Sequence, residues 1–152
     1  MSLRSFDSQF PDLALAERCL MVLSEEGLVA TFDLIDWHCQ DLRCDCYKVN
    51  FAIVGSDKKT YATITYGWKP PSFYHKSGFD KRTAKQLTSG FLDPLAEQSR
   101  FADVFLEPFS MMIKDPNFIE RINRRYAMFR KAIPADRRFS KMPDTIVCLK
   151  AG

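Results

Sequence analysis

The chain has 152 residues, the length of one ordinary domain, so residues 1–152 are expected to form a single unit. Hydrophobic residues at 46% and charged ones at 27% exclude a disordered chain, and 13 Phe beside 5 Tyr and 2 Trp point to a dense aromatic core. A net charge of +3 is too small an excess to mark a nucleic-acid binder by itself.

Residues 1–12 are polar and hold no apolar signal-peptide core, and no apolar run approaches the roughly 18 residues of a membrane span. A cytoplasmic protein without membrane contact is therefore expected. Residues 10–23 are ambiguous: Leu13, Ala16, Leu20 and Leu23 fall near helical spacing, yet 18–23 also reads as a strand turning at Ser24-Glu25-Glu26-Gly27. Leu28, Ala30, Phe32 and Leu34 then alternate with Thr31 and Asp33, and Tyr47, Val49, Phe51 and Ile53 alternate with Lys48 and Asn50. A turn at Gly55-Ser56-Asp57-Lys58-Lys59 leads to a third run, Ala62, Ile64, Tyr66 and Trp68, which Pro70-Pro71 ends.

The period changes in the second half. Asp80 is placed to cap a helix ending near Gly90. Asp93-Pro94 has the form of a helix start, with Leu95, Ala102, Phe105, Leu106 and Phe109 on one face and Pro108 kinking or ending the helix. Asp115-Pro116 repeats the signal, and Phe118, Ile119, Ile122, Tyr126, Phe129 and Ile133 give the strongest amphipathic pattern before Pro134. Residues 145–149 could add a last strand. The predicted fold is α+β: an antiparallel meander of three to four strands in the N-terminal half, packed by two or three C-terminal helices.

Five cysteines without a secretion signal argue against a disulfide framework. Three of them, Cys39, Cys44 and Cys46, form a C-x4-C-x-C cluster in the link between two predicted strands. Thiolates at such a link suit zinc, because the strands hold the loop ends and the ion ties the loop between them. His75 is the candidate fourth ligand, with His38 and Cys148 as alternatives, and Cys19, Asp45 or water as further options. His38 adjoins Cys39, so in extended chain the two side chains point to opposite faces. The competing interpretations are reduced cysteines packed as small hydrophobes, and redox or nucleophilic thiols. Arg43 and Lys48 would favour a thiolate, while Asp41 and Asp45 oppose it.

Cys44-Asp45-Cys46, followed by Tyr47-Lys48-Val49 and later by Tyr66-Gly67-Trp68, resembles a group of small bacterial proteins of unknown function. They share a Cys-Asp-Cys-x-x-Val segment and a Tyr-Gly-Trp. The resemblance covers about residues 36–68 and implies no activity and no role for any residue.

Between Ile119 and Met142 stand Arg121, Arg124, Arg125, Arg130, Lys131, Arg137, Arg138 and Lys141, against only Glu120 and Asp136. This helix face could contact an acidic protein partner, or nucleic acid as the less favoured choice; a solvated face is the plain alternative. Asp33, Asp36, Glu25 and Glu26 read as solvated carboxylates, and Trp68, Phe73 and Tyr74 as a cap on the core rather than a pocket. The chain has no G-x-S-x-G, P-loop, G-x-G-x-x-G or H-E-x-x-H motif. The leading expectation is a zinc-stabilised binding module with a basic C-terminal helix. The alternatives are a small enzyme using an open metal site or an activated cysteine of the cluster, with His75 as base, and an oligomeric or structural protein with inert thiols.

Overall fold

The computed structural model describes residues 3–41 and 44–132. The expected strand at 145–149, Ile133, Pro134, Arg43, Arg137, Arg138, Lys141 and Cys148 lie outside the described residues. Within them the fold is α+β. A six-stranded antiparallel sheet runs β1 (Leu3–Ser5), β3 (Leu28–Cys39), β4 (Lys48–Val54), β5 (Thr60–Gly67), β6 (Phe91–Leu92), with β2 (Leu20–Glu25) paired to β3 beside β1. The helices are α1 (Phe6–Gln9), α2 (Pro11–Ala16), α3 (Pro71–Lys76), α4 (Lys81–Ser89), α5 (Leu106–Met112) and α6 (Pro116–Ala132).

The expected meander is present. The β4–β5 hairpin turns where Gly55 N donates to Lys59 O at 3.0 Å and Asp57 Oδ1 accepts from Lys59 N at 3.1 Å. The β2–β3 hairpin turns at Glu26 and Gly27, both at positive φ, as a two-residue connection between twisted strands requires. Residues 10–23 resolve into both readings, because helix α2 stops at Ala16 and the chain then enters β2.

β3 is longer than the sequence pattern indicated. Its first residues, Leu28 to Ala30, project beyond the core and are exposed, whereas burial by alternation holds from Leu34 onward: Leu34, Asp36 and His38 all face inward. The polar residues Asp36 and His38 hid this half of the strand from a hydrophobicity pattern. Asp36 is thus buried rather than solvated, while Asp33 pairs with exposed Arg18.

Two of the three helix starts hold. Asp80 Oδ1 accepts from Thr83 N at 2.7 Å and caps α4. Asp115 Oδ1 accepts from Asn117 N at 2.9 Å at the head of α6. Asp93-Pro94 does not start a helix. Asp93 N donates to Thr63 O and Ser99 N to Tyr61 O, while the Gln98 side chain both accepts from Thr63 N and donates to Thr63 O. The segment is therefore spent on satisfying the edge of β5, where unpaired backbone groups would otherwise be left. Leu95 is exposed as a result, and helix resumes only with a 3-10 turn at Ala102–Phe105 and then α5. Pro108 falls in the first turn of α5, where a missing N–H costs nothing.

α5 and α6 cover one face of the sheet: Phe105, Phe109, Phe118 and Ile122 pack on Leu34, Val49, Phe51, Ile53, Ala62, Ile64 and Tyr66. A smaller cluster of Tyr74, Ala84 and Leu87, with Phe73, Phe79 and Phe91, lies under α3 and α4. Tyr74, expected as a cap on the core, is fully enclosed. Its hydroxyl donates to Tyr47 O at 2.7 Å and accepts from Lys69 N at 3.2 Å. The phenol lies directly against Gly67, so a methyl group there would overlap the hydroxyl and ring. Gly67→Ala is expected to lower unfolding free energy by about 1–3 kcal/mol through overpacking. Urea titration of the variant against the parent checks this; an unchanged midpoint would mean that the ring moves freely.

Candidate metal centre

Three elements bring the cysteines together. Cys39 ends β3, where it is held opposite Leu3 of β1. The chain then turns, with Cys44 N donating to Asp41 O at 3.1 Å. Cys46 stands just before Tyr47, whose φ of 45° bends the backbone into β4. The sulfurs of Cys39, Cys44 and Cys46 all lie within 4.8 Å of one another, and the three residues are 1%, 3% and 5% exposed. None of the described cysteines is in a disulfide. Zinc–sulfur bonds of about 2.3 Å place the sulfurs of a tetrahedral site about 3.8 Å apart, so the cluster needs only a small contraction to hold an ion. Cys39 Sγ also accepts from Asp41 N at 3.4 Å.

α6 fastens the loop from outside. Arg130 Nη1 donates to the carbonyls of Cys44 and Asp41, and its Nη2 lies 3.4 Å from Asp45 Oδ1. Tyr126 Oη accepts from Tyr47 N at 3.4 Å, and the Tyr126 ring packs on Tyr47 and Trp68 at centroid distances of 5.0 and 5.2 Å. The cluster is therefore walled by Leu3, Tyr47, Trp68 and Tyr126. On the far side Cys39 and Cys46 line a pocket of about 140 Å³ that also receives Lys48, Asn50 and Asp93.

The proposed fourth ligands are placed elsewhere. His75 is exposed on α3 with Nδ1 2.9 Å from Phe79 O, outside the group formed by the three sulfurs. His38 points to the opposite face from Cys39, as strand alternation requires, and is buried against Phe129 at a centroid distance of 5.3 Å. Asp45 is exposed and turned to Arg130. Cys19 sits at the head of β2, in a separate pocket with Arg121 and Arg125.

The basic face of α6 is mostly turned to internal use. Arg125 is 6% exposed and donates from Nη1 to Asp36 Oδ1 at 2.8 Å, with its guanidinium over the Phe6 ring. Arg124 forms a fork with Glu17, at 3.2 and 2.7 Å, and Arg130 holds the cysteine loop. Arg121 lines the Cys19 pocket, and Arg124 and Lys131 are the exposed cations of the five. The Asp36–His38–Arg125 network was not legible from composition. Its one sequence signal is the Asp-x-His spacing, which places both groups on one strand face once the strand is extended to Cys39.

Comparison with protein-family models, with curated proteins and with solved structures returns no match. The chain is thus defined by what it contains: an α+β domain with a buried three-thiol cluster. No helix among the described residues is long and apolar enough to cross a membrane.

Burial acts to raise the Asp36 carboxyl, but the hydrogen bond and charge of His38 and the charge of Arg125 outweigh it and hold its pKa below the usual value. A pKa depressed by folding stabilises the native state above the unfolded value of about 3.9, and that stabilisation is lost as pH falls through the folded value. Acid unfolding of the parent is therefore expected to steepen below about pH 4. Arg125→Met, which strands a buried carboxylate, is expected to cost about 3–5 kcal/mol at neutral pH. Asp36→Asn with Arg125→Met should recover part of that loss. Thermal melts of Arg125→Met, Asp36→Asn and the double variant across pH 3–7 decide this, and a fully additive double variant would break the assignment.

Proposed function

We propose that the protein is a metal-stabilised binding module whose ion, zinc by the chemistry of the donors, is held by the thiolates of Cys39, Cys44 and Cys46. The observation that carries this is the convergence of three buried sulfurs within 4.8 Å from positions spread over eight residues. Packing alone does not call for it, since buried cysteines serve equally well dispersed through a core. Soft thiolate donors select zinc or another thiophilic metal over magnesium or calcium. Bound there, the ion ties the end of β3 to the start of β4 and so shapes the loop between them. A cytosolic setting, with thiols kept reduced, agrees with this use of cysteine.

The binding surface in this proposal is the loop side of the domain rather than the arginine face of α6. Arg124, Arg125 and Arg130 are committed to internal partners, which counts against a nucleic-acid stripe. One observation favours a second reading, a small enzyme: the pocket beside Cys39 and Cys46 brings Lys48, Asn50 and Asp93 close to the sulfurs. A ligand position opening there would be catalytic in character, and a fully protein-ligated site structural.

Elemental analysis of purified protein is expected to give about one zinc per chain, with Cys39, Cys44 and Cys46 protected from alkylation. Cys44→Ser should lower the metal content to background and the melting temperature with it, and a chelator should do the same to the parent. Cys148→Ser tests the fourth ligand: a lowered affinity assigns it to Cys148, and an unchanged one leaves that position to water. Cobalt substitution separates the two readings, because exogenous anions shift the visible spectrum of an open site alone. No metal after refolding with zinc, and full alkylation of the three thiols, would overturn the proposal.

A further inference from the structure

A second pocket, away from the thiol cluster, lies between α2, the start of β2, β3 and α6 and has a volume of about 470 Å³. That is the size of a small-metabolite site. Two guanidiniums line it from α6, Arg121 and Arg125, one helical turn apart. Nη2 of Arg121 and Nε of Arg125 are both buried without a hydrogen-bond partner. Arg121 makes no ion pair among the described residues, and desolvation together with the neighbouring Arg125 weakens its hold on its proton. Arg121 is half-buried, and Glu17 and Asp36 act on it only through space, so its unpartnered Nη2 in a pocket wall calls for a ligand.

The nearest carboxylates are already engaged by other cations. Glu17 is engaged by Arg124, Asp33 by Arg18 at 3.0 and 2.9 Å, and Asp36 by His38 and Arg125. Asp7 is exposed at the rim, where solvent screens it. Beneath the pocket a recess of about 10 Å³ between Cys19, Arg121 and Arg125 has room for about one water. A water there would meet a donor but bring no negative charge to Arg121. The rest of the wall is partly apolar, with Pro11, Ala14, Leu15 and Ile35, and Lys58 adds a further cation.

We infer that this pocket binds a small organic anion, its carboxylate or phosphoryl group held by Arg121 and Arg125 and its apolar body laid against α2. Guanidiniums suit both head groups because their planar N–H forks match two oxygens at once. The site is independent of the thiol cluster and of any metal there.

The test is thermal shift and calorimetric titration of the full chain in chloride buffer. Inorganic phosphate is one probe; acetate, butanoate and hexanoate are the other series. The expected result is a saturable response to one probe class by about 10 mM. Affinity that rises with chain length names a carboxylate with an apolar body; a response to phosphate alone names a phosphoryl group. Arg121→Gln should weaken binding about tenfold or more, the loss of one charge-assisted hydrogen bond, while Arg82→Gln on α4 leaves it unchanged. Without ligand, Arg121→Gln should melt no lower than the parent, because it removes an unpaired, half-buried charge; this separates lost binding from lost fold. No saturable response to either class, or an equal response in Arg121→Gln, would overturn the assignment.

Discussion

The buried ion pair between Arg125 and Asp36 ties α6 to the sheet through two charges taken out of water. A carboxylate taken out of water is tolerated only with its charge answered, and here Arg125 at 2.8 Å and His38 at 2.8 Å answer it from two directions. The pair joins α6 to the middle of β3, so it sets both how far the helix slides along the sheet and which way the end of β3 faces. Everything at the thiol cluster is downstream of that register. With Asp36 and His38 turned inward, Cys39 must face the other side of the sheet, toward Cys46 and its pocket.

α6 then works along its length. Its apolar side, through Phe118, Ile122 and Phe129, closes the core. Tyr126 and Arg130, four residues apart, both reach the 40–47 loop, one to a backbone N–H and the other to carbonyls. The same helix that looks from its charge like a surface for acidic partners is therefore the part that holds the cysteine loop in place. Guanidiniums suit this role because one group reaches several carbonyls at fixed angles. Arg121, one turn before Arg125, is the member of the series without an internal acceptor, and it opens onto the pocket between α2, β3 and α6.

The thiol cluster and the Arg121 pocket pose the same physical demand with opposite charges. Three sulfurs buried together need a cation if they are thiolates, and Arg121, set beside an Arg125 already paired with Asp36, needs an anion. Neither need is visible in the net charge of +3, which averages over groups already neutralised in pairs. Fold similarity adds nothing to either, so both stand on the donor sets alone.

Elements whose signals are local were legible in the residues alone. Alternation in residues 47–54 and 60–67, the glycine turn at Gly55, the Asp80 and Asp115 caps and the helical period of α6 all appear where their patterns place them, because each is decided by neighbours within a few residues. The three cysteines that meet were legible too, since they stand close in the chain. Tertiary structure alone decided the rest. Asp93-Pro94 has the residues of a helix start, but the edge of β5 claimed the segment's hydrogen bonds. Asp36 and His38 are polar, and only a cation 89 residues away made their burial possible. The arginines of α6 look alike in sequence; whether each meets a carboxylate, a carbonyl, solvent or an unfilled pocket depends on chain segments up to 108 residues distant. Partners at that separation leave no periodicity to read, which is why the uses of the charged residues emerged only from the packed molecule.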